Sequence, residues 1–158
     1  MSLRIELNSA EKSLAINLAI ARNENARSKG KPNFKLGKQA DWLTDLEGIG
    51  GEIAACRYFK VYPDTETNLT VLPGFDLMTW KGSRVDVKTT KYRSGKLLAT
   101  LKKDAKACDI YVLVVGEFPS YELVGYATSG ELIQEKNITD LGHGKGYALS
   151  QNDLRRFT

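Results

Sequence analysis

The chain has 158 residues, a formal net charge of +4, 42% hydrophobic and 27% charged residues. That suits one globular domain with its own core and leaves little room for two. Two cysteines without a Cys-x-x-Cys pair, and one histidine, argue against a Cys/His zinc site, a disulfide-dependent scaffold and Ser-His or Cys-His catalysis, unless His143 is the one base.

No apolar run approaches the ~20 residues of a membrane helix. The first residues lack a basic-then-apolar leader, so the expectation is a cytoplasmic protein without membrane association. Asn8-Ser9-Ala10-Glu11 has the spacing of a helix start, a cap with Glu three residues later. The helix is expected to run to about Ala26, with Leu14, Leu18 and Ala21 on one face and Ile16 and Ile20 widening it. Residues 28–39 mix Gly30, Pro32, Asn33 and Gly37 with Lys29, Lys31, Lys35 and Lys38, a basic loop that suits either phosphate contact or plain exposure.

A second helix is expected over Leu43 to Phe59, with Leu46, Ile49, Ile53 and Cys56 as its apolar stripe. At ~100° per residue, Glu52 falls at the edge of that stripe and not on the far solvent side. Gly48, Gly50 and Gly51 weaken a helix interior and make sense where something must come close. Residues 63–70 read as turns.

A β-hairpin follows over 74–90. Val85, Val87 and Thr89 alternate with Arg84, Asp86, Lys88 and Thr90, so Asp86 and Lys88 share one strand face. Lys91 to Lys96 reads as a basic loop, Leu97 to Leu101 as a short strand, and Lys102 to Ala107 as a turn of helix. Ile110 to Val115 is continuously apolar, as a doubly covered central strand is. Tyr121 to Ala127 alternates like a strand, Ser129 to Glu135 suggests a short helix, and the glycine-rich loop around His143 reads as an exposed connection. Tyr147 to Leu149 closes as a strand, followed by a capped turn from Ser150 that holds Leu154 and Phe157. Trp42 and Trp80 read as packing residues. The order predicts a mixed α/β domain around a sheet of about five strands flanked by helices.

Charge is uneven along this order. Residues 81–106 carry nine basic and two acidic side chains, whereas 41–80 carry two basic and seven acidic. Such a block suits a phosphate polyanion, and also a solvated basic face.

The chemistry gathers on Glu52, Asp76, Asp86 and Lys88. Carboxylates held together repel, and a divalent cation relieves the repulsion. Oxygen donors without His or Cys select a hard ion, Mg²⁺ or Mn²⁺. Asp-x-Lys alone carries little, since Asp104-Ala105-Lys106 has the same spacing in a polar context. What distinguishes Asp86-Val87-Lys88 is its β-branched frame, the acid ten residues upstream and the helical Glu before both.

Together, Gly50-Gly51-Glu52 on a helix, Gly74-Phe75-Asp76 and Asp86-Val87-Lys88, with the apolar strand Ile110 to Val115, resemble the PD-(D/E)xK nuclease superfamily. Gly74 and Phe75 stand where the Pro of the motif's name would be. The resemblance covers roughly residues 47–115 and implies a restriction-endonuclease-like core. The chain is expected to be a single nuclease-like domain over 1–158, with a helix and basic loop (1–40), a catalytic core (41–127) and a C-terminal extension (128–158); the first forty and last fifty residues are not explained by the resemblance. The resemblance implies that Asp76, Asp86 and the Val87 carbonyl hold Mg²⁺ or Mn²⁺, that Glu52 completes the site, and that Lys88 acts on the attacking water. It also implies that DNA is the substrate and that two chains pair as a homodimer to cut both strands. Lys91, Tyr92, Arg93 and Lys96 follow the site directly and suit contacts to the DNA backbone. The alternatives are a nucleic-acid-binding module on the same fold that does not cut, and a structural protein whose basic block is incidental.

One detail opposes a shared site. A two-residue turn at Gly82-Ser83 would pair Asp76 with Thr89 and put Asp76 on the face opposite Asp86. Convergence requires a three-residue loop, a bulge, or Asp76 at a strand end.

Overall fold

The computed structural model describes residues 3–28, 41–67 and 74–158. The basic loop expected over 28–39 lies almost entirely outside these, as does the end of the turn-like stretch over 63–70. Asn8 and Glu11 make the reciprocal bonds of a capping box, each backbone amide donating to the other's side-chain oxygen at 2.9 Å. They start helix α1, Ser9–Ser28. Its buried stripe is Ala15, Leu18 and Ala19, and Ile16 and Ile20 are exposed, contrary to expectation. Small residues let α1 lie close to helix α2, Asp41–Phe59, through a stripe too narrow to cover those isoleucines. In α2 the expected Leu46, Ile49, Ile53 and Cys56 are all buried.

Five strands form one mixed sheet in the order β1-β6-β5-β3-β2. They are β1 (Leu3–Glu6), β2 (Leu77–Met78), β3 (Arg84–Thr90), β5 (Ile110–Glu117) and β6 (Ser120–Thr128). Strand β1 was not anticipated, and Leu3 and Ile5 reach the core from the sheet edge beside β6. β5 lies in the centre, antiparallel to β6 and parallel to β3. Its Val112 and Val114 face α1 and α2, and its Tyr111, Leu113 and Val115 face a second core. Burial on both faces is why the sequence there is unbroken apolar.

The second core is closed by a three-stranded antiparallel sheet, β4-β8-β7, made of β4 (Leu97–Thr100), β7 (Ile138–Asp140) and β8 (Lys145–Leu149). Helix α3, Ser129–Leu132, joins it, capped by Thr128 and Glu131. Residues 102–107 form turns and not the expected helix: Ala107 N donates to Asp104 O, and Asp104 Oδ1 takes the Lys106 amide, a side-chain turn that competes with helix. Neither tryptophan joins either core. Trp42 is 37% exposed, and Trp80 is 84% exposed at the tip of the β2–β3 hairpin, its indole N–H donating to Lys60 O at 2.8 Å.

The glycines of α2 differ from one another. A methyl group on Gly50 would run into the buried Tyr121 ring, and one on Gly51 into Thr89 of β3. A methyl group on Gly48 would meet nothing. Gly50 and Gly51 therefore let the helix lie flush on the sheet just before Glu52. In urea unfolding, Gly48→Ala should stabilise the protein by up to about 1 kcal/mol through helix propensity. Gly51→Ala should destabilise it by about 1–3 kcal/mol through overpacking; equal effects would contradict this placement.

Candidate functional site

The hairpin turn decides where the acids go. Leu77 pairs with Val85 and Met78 with Arg84, and Thr79 N donates to Ser83 O at 2.9 Å. Trp80, Lys81 and Gly82 thus make a three-residue loop, with Gly82 N donating to Thr79 O. Gly82 has φ +87°, the left-handed conformation that this loop asks of its last residue. The register differs by three residues from that of a two-residue Gly82-Ser83 turn. An odd shift exchanges the faces. Leu77 joins Val85 in the helix-side core, so Asp76, one residue back, starts from the face of Asp86.

β2 begins only at Leu77, and beyond it the edge of β3 is unpaired by any described strand. Alternation lapses there: Asp76 N donates to Val85 O at 2.8 Å. The Asp76 carboxylate turns into the edge and accepts the Val87 amide through Oδ2 at 2.6 Å. The amide and carbonyl of one strand residue face the same edge of an antiparallel pair, so the Val87 carbonyl points to this edge too.

Asp86 lies in register with Tyr111 and Lys88 with Leu113, on the face of the second core. Asp86 is 4% exposed. Two ammonium groups flank its carboxylate. Lys103 Nζ donates to Oδ2 at 2.7 Å and to the Gly74 carbonyl at 3.0 Å. Lys88 Nζ stands 2.7 Å from Oδ1 but off the direction of a hydrogen bond, so among the described residues this buried oxygen has a counter-charge and no donor.

Glu52 approaches from the helix side of the same edge, with 28% of its side chain exposed and Arg22 at 4.0 Å. Arg22 also binds the carbonyls of Asp64 and Glu66, which ties α1 to the segment after α2. Burial, then the Asp76 charge, push the Glu52 carboxyl up to about 8, against the pull of Arg22; Asp86 and Asp64 add to the rise. Burial and then Asp86 raise Asp76 to about 6, despite the Val87 amide, Lys88 and Lys103. Glu52 is raised by the charges of Asp76 and Asp86, and Asp76 by that of Asp86, so the three acids are electrostatic neighbours.

Lys91, Tyr92, Arg93 and Lys96 are all exposed on the connection from β3 to β4. The Lys91 ammonium lies 5.5 Å from the Tyr92 ring centre, and Arg93 reaches to 3.9 Å from Glu122. Gln151 donates to the carbonyls of Arg93 and Gly95, which holds the connection in place. His143 lies in an exposed turn between β7 and β8.

Lys103 is the site residue that sequence reading missed. It sits in a basic run with Lys102 and Lys106, and nothing in residue type sets it apart. Only the turn after β4, closed by Lys103 N to Thr100 O, aims it inward; its side chain is 19% exposed while Lys102 and Lys106 are exposed.

The donor chemistry fits a hard divalent cation. It is all oxygen, it is strained by mutual repulsion, and it includes a buried oxygen without a donor. Among the described residues, however, no three His, Cys, Asp or Glu side chains form a ready-made metal cage. Glu52 and Asp86 come from opposite faces of the sheet, and lysines hold Asp86.

Comparison of the chain with family models, curated proteins and solved structures gave no match. Fold and site define the class as far as a mixed α/β domain, with a five-stranded mixed sheet flanked by helices and an acid–lysine cluster on one sheet edge. No helix among the described residues is long and apolar enough to cross a membrane.

The raised carboxyls give stability a sign with pH. Glu52 stays protonated in the folded chain up to about 8, whereas in the unfolded chain it ionises near 4.5. Between those values the folded state binds more protons, so stability is fullest below about 4.5 and falls as pH rises through 8. Metal-free protein should therefore melt at lower temperature at pH 8 than at pH 5. Glu52→Gln should flatten that slope in thermal melts; an unchanged slope would show that Glu52 is not held protonated.

Proposed function

We propose that this chain is a Mg²⁺- or Mn²⁺-dependent endonuclease that hydrolyses DNA phosphodiester bonds on a restriction-endonuclease-like core, as its resemblance to PD-(D/E)xK nucleases implies. One observation carries the reading: a three-residue hairpin loop sets Asp76 beside Asp86 and Lys88 at the edge of β3, and α2 lies close against that strand through Gly51, the residue before Glu52.

Glu52, Asp76, Asp86 and the Val87 carbonyl are the groups that would hold the ion. When bound, the ion polarises a phosphoryl oxygen and lowers the pKa of a coordinated water. Asp76 spends one oxygen on the Val87 amide, which fixes its orientation. The half-exposed Lys88 ammonium, beside Asp86, orients the attacking water and stabilises negative charge developing on the phosphate. Lys91, Arg93 and Lys96 lie next along the chain, where cations hold a phosphate backbone, and the exposed Tyr92 ring offers a stacking face.

The rival reading is a module on the same fold that binds nucleic acid without cutting. It draws on the two ammonium groups that already flank Asp86.

A supercoiled-plasmid nicking assay separates the two. Cleavage in Mg²⁺ or Mn²⁺ that EDTA stops supports the enzyme; DNA binding without nicks supports the module. Glu52→Ala, Asp76→Ala, Asp86→Ala and Lys88→Ala should each lose about 10²-fold or more in nicking rate while remaining folded. Parental activity in Asp86→Ala would refute the mechanism. Lys91→Ala with Lys96→Ala should weaken duplex binding and reduce the salt slope by about two, as expected for two lost phosphate contacts.

A further inference from the structure

Lys103 has no part in the hydrolysis proposed above, yet its ammonium sits directly on the buried Asp86 carboxylate. Its ammonium is 2.7 Å from Asp86 Oδ2 and 3.0 Å from the Gly74 carbonyl, and 5.8 Å from the centre of the Tyr111 ring. Two oxygens and an aromatic face make a cation site. The carboxylate it binds is buried, and its other oxygen has no hydrogen-bond donor.

A buried carboxylate without a counter-charge is strongly destabilising. Lys88 by itself is poorly directed toward Oδ1, which leaves Lys103 as the cation that makes the buried Asp86 tolerable. It also bonds Gly74, two residues before Asp76, and so holds the start of the hairpin against β3.

We propose that Lys103 is a built-in monovalent counter-ion that occupies Asp86 in the metal-free protein, and that a divalent cation binds only by displacing its ammonium. This inference rests on the metal site proposed above. Three positive groups on one carboxylate repel at such distances. The Lys103 stem is long, flexible and partly exposed, so its ammonium has a way out to solvent. The fold stays charge-compensated without metal, at the expense of weaker metal affinity.

Mn²⁺ binding to the 158-residue chain, read from the loss of the free-ion paramagnetic resonance signal, tests this without catalysis. Lys103→Met, close in volume and uncharged, should bind Mn²⁺ at least tenfold more tightly than the parent. Lys103→Arg should bind no more tightly than the parent. Parental affinity in a folded Lys103→Met would overturn the displacement, with the metal site itself left standing. Failure of parent and Lys103→Met alike to bind Mn²⁺ would overturn the metal reading and this inference together.

The parent chain gives a second readout that needs no variant. Saturating Mg²⁺ should raise the acetylation rate of Lys103 several-fold, followed by mass spectrometry, while Lys102 next to it stays unchanged. A Lys103 that remains equally protected in Mg²⁺ would also overturn the proposal.

Discussion

A carboxylate taken almost wholly out of water, Asp86, is the constraint around which this structure is arranged. Such a group persists only if the surroundings return what water supplied, charge and hydrogen bonds. Lys103 supplies both to one oxygen, and Lys88 supplies only charge to the other. Neighbouring elements can be read as support for that arrangement. The turn after β4 exists at the spot from which a lysine reaches across, and Gly74 offers that lysine a carbonyl. Tyr111, in register with Asp86, lays its ring beside the same ammonium.

The sheet edge adds a second constraint. β2 is two residues long, so most of β3 lacks a described neighbour on that side. An open edge with free backbone groups is ordinarily a hazard. Here the Asp76 carboxylate takes the Val87 amide, and the packed helix α2 brings Glu52 to the same margin. Among the described residues, this edge thereby carries carboxyls that come from two faces of the sheet. Their mutual repulsion is expressed as protons held by Glu52 and Asp76 well above the usual carboxylate range. Protons and lysine ammonium groups are two ways of answering the same excess of negative charge.

Packing and chemistry meet in α2. Gly50 and Gly51 let the helix lie against Tyr121 and Thr89, and the next residue is Glu52. Two missing side chains bring the third residue to the edge. Thr89 Oγ1, buried at that contact, stands where a side chain on Gly51 would have to go.

Much of the local order was legible in the chain. The capping box at Asn8, the stripe of α2, the apolar run of β5 and the alternation of β3 all follow from propensity and periodicity, which act within a few residues. So does the shared face of Asp86 and Lys88, because strand geometry alone sets it. Apart from the local turn at Asp104, where a reading failed the tertiary setting decided. Ile16 and Ile20 face outward because α1 meets α2 on a narrow stripe, and Trp80 is exposed because the hairpin tip carries it clear of both cores, to the Lys60 carbonyl. β1 is a strand because β6 leaves an edge for it, and the second sheet exists because β4 and β8, almost fifty residues apart in sequence, pair. Above all, residue types named Glu52, Asp76, Asp86 and Lys88 as candidates, but hairpin register and the approach of α2 gathered them. Tertiary structure alone singled out Lys103, since three similar lysines in one basic run become distinguishable only when one of them is turned toward a buried charge.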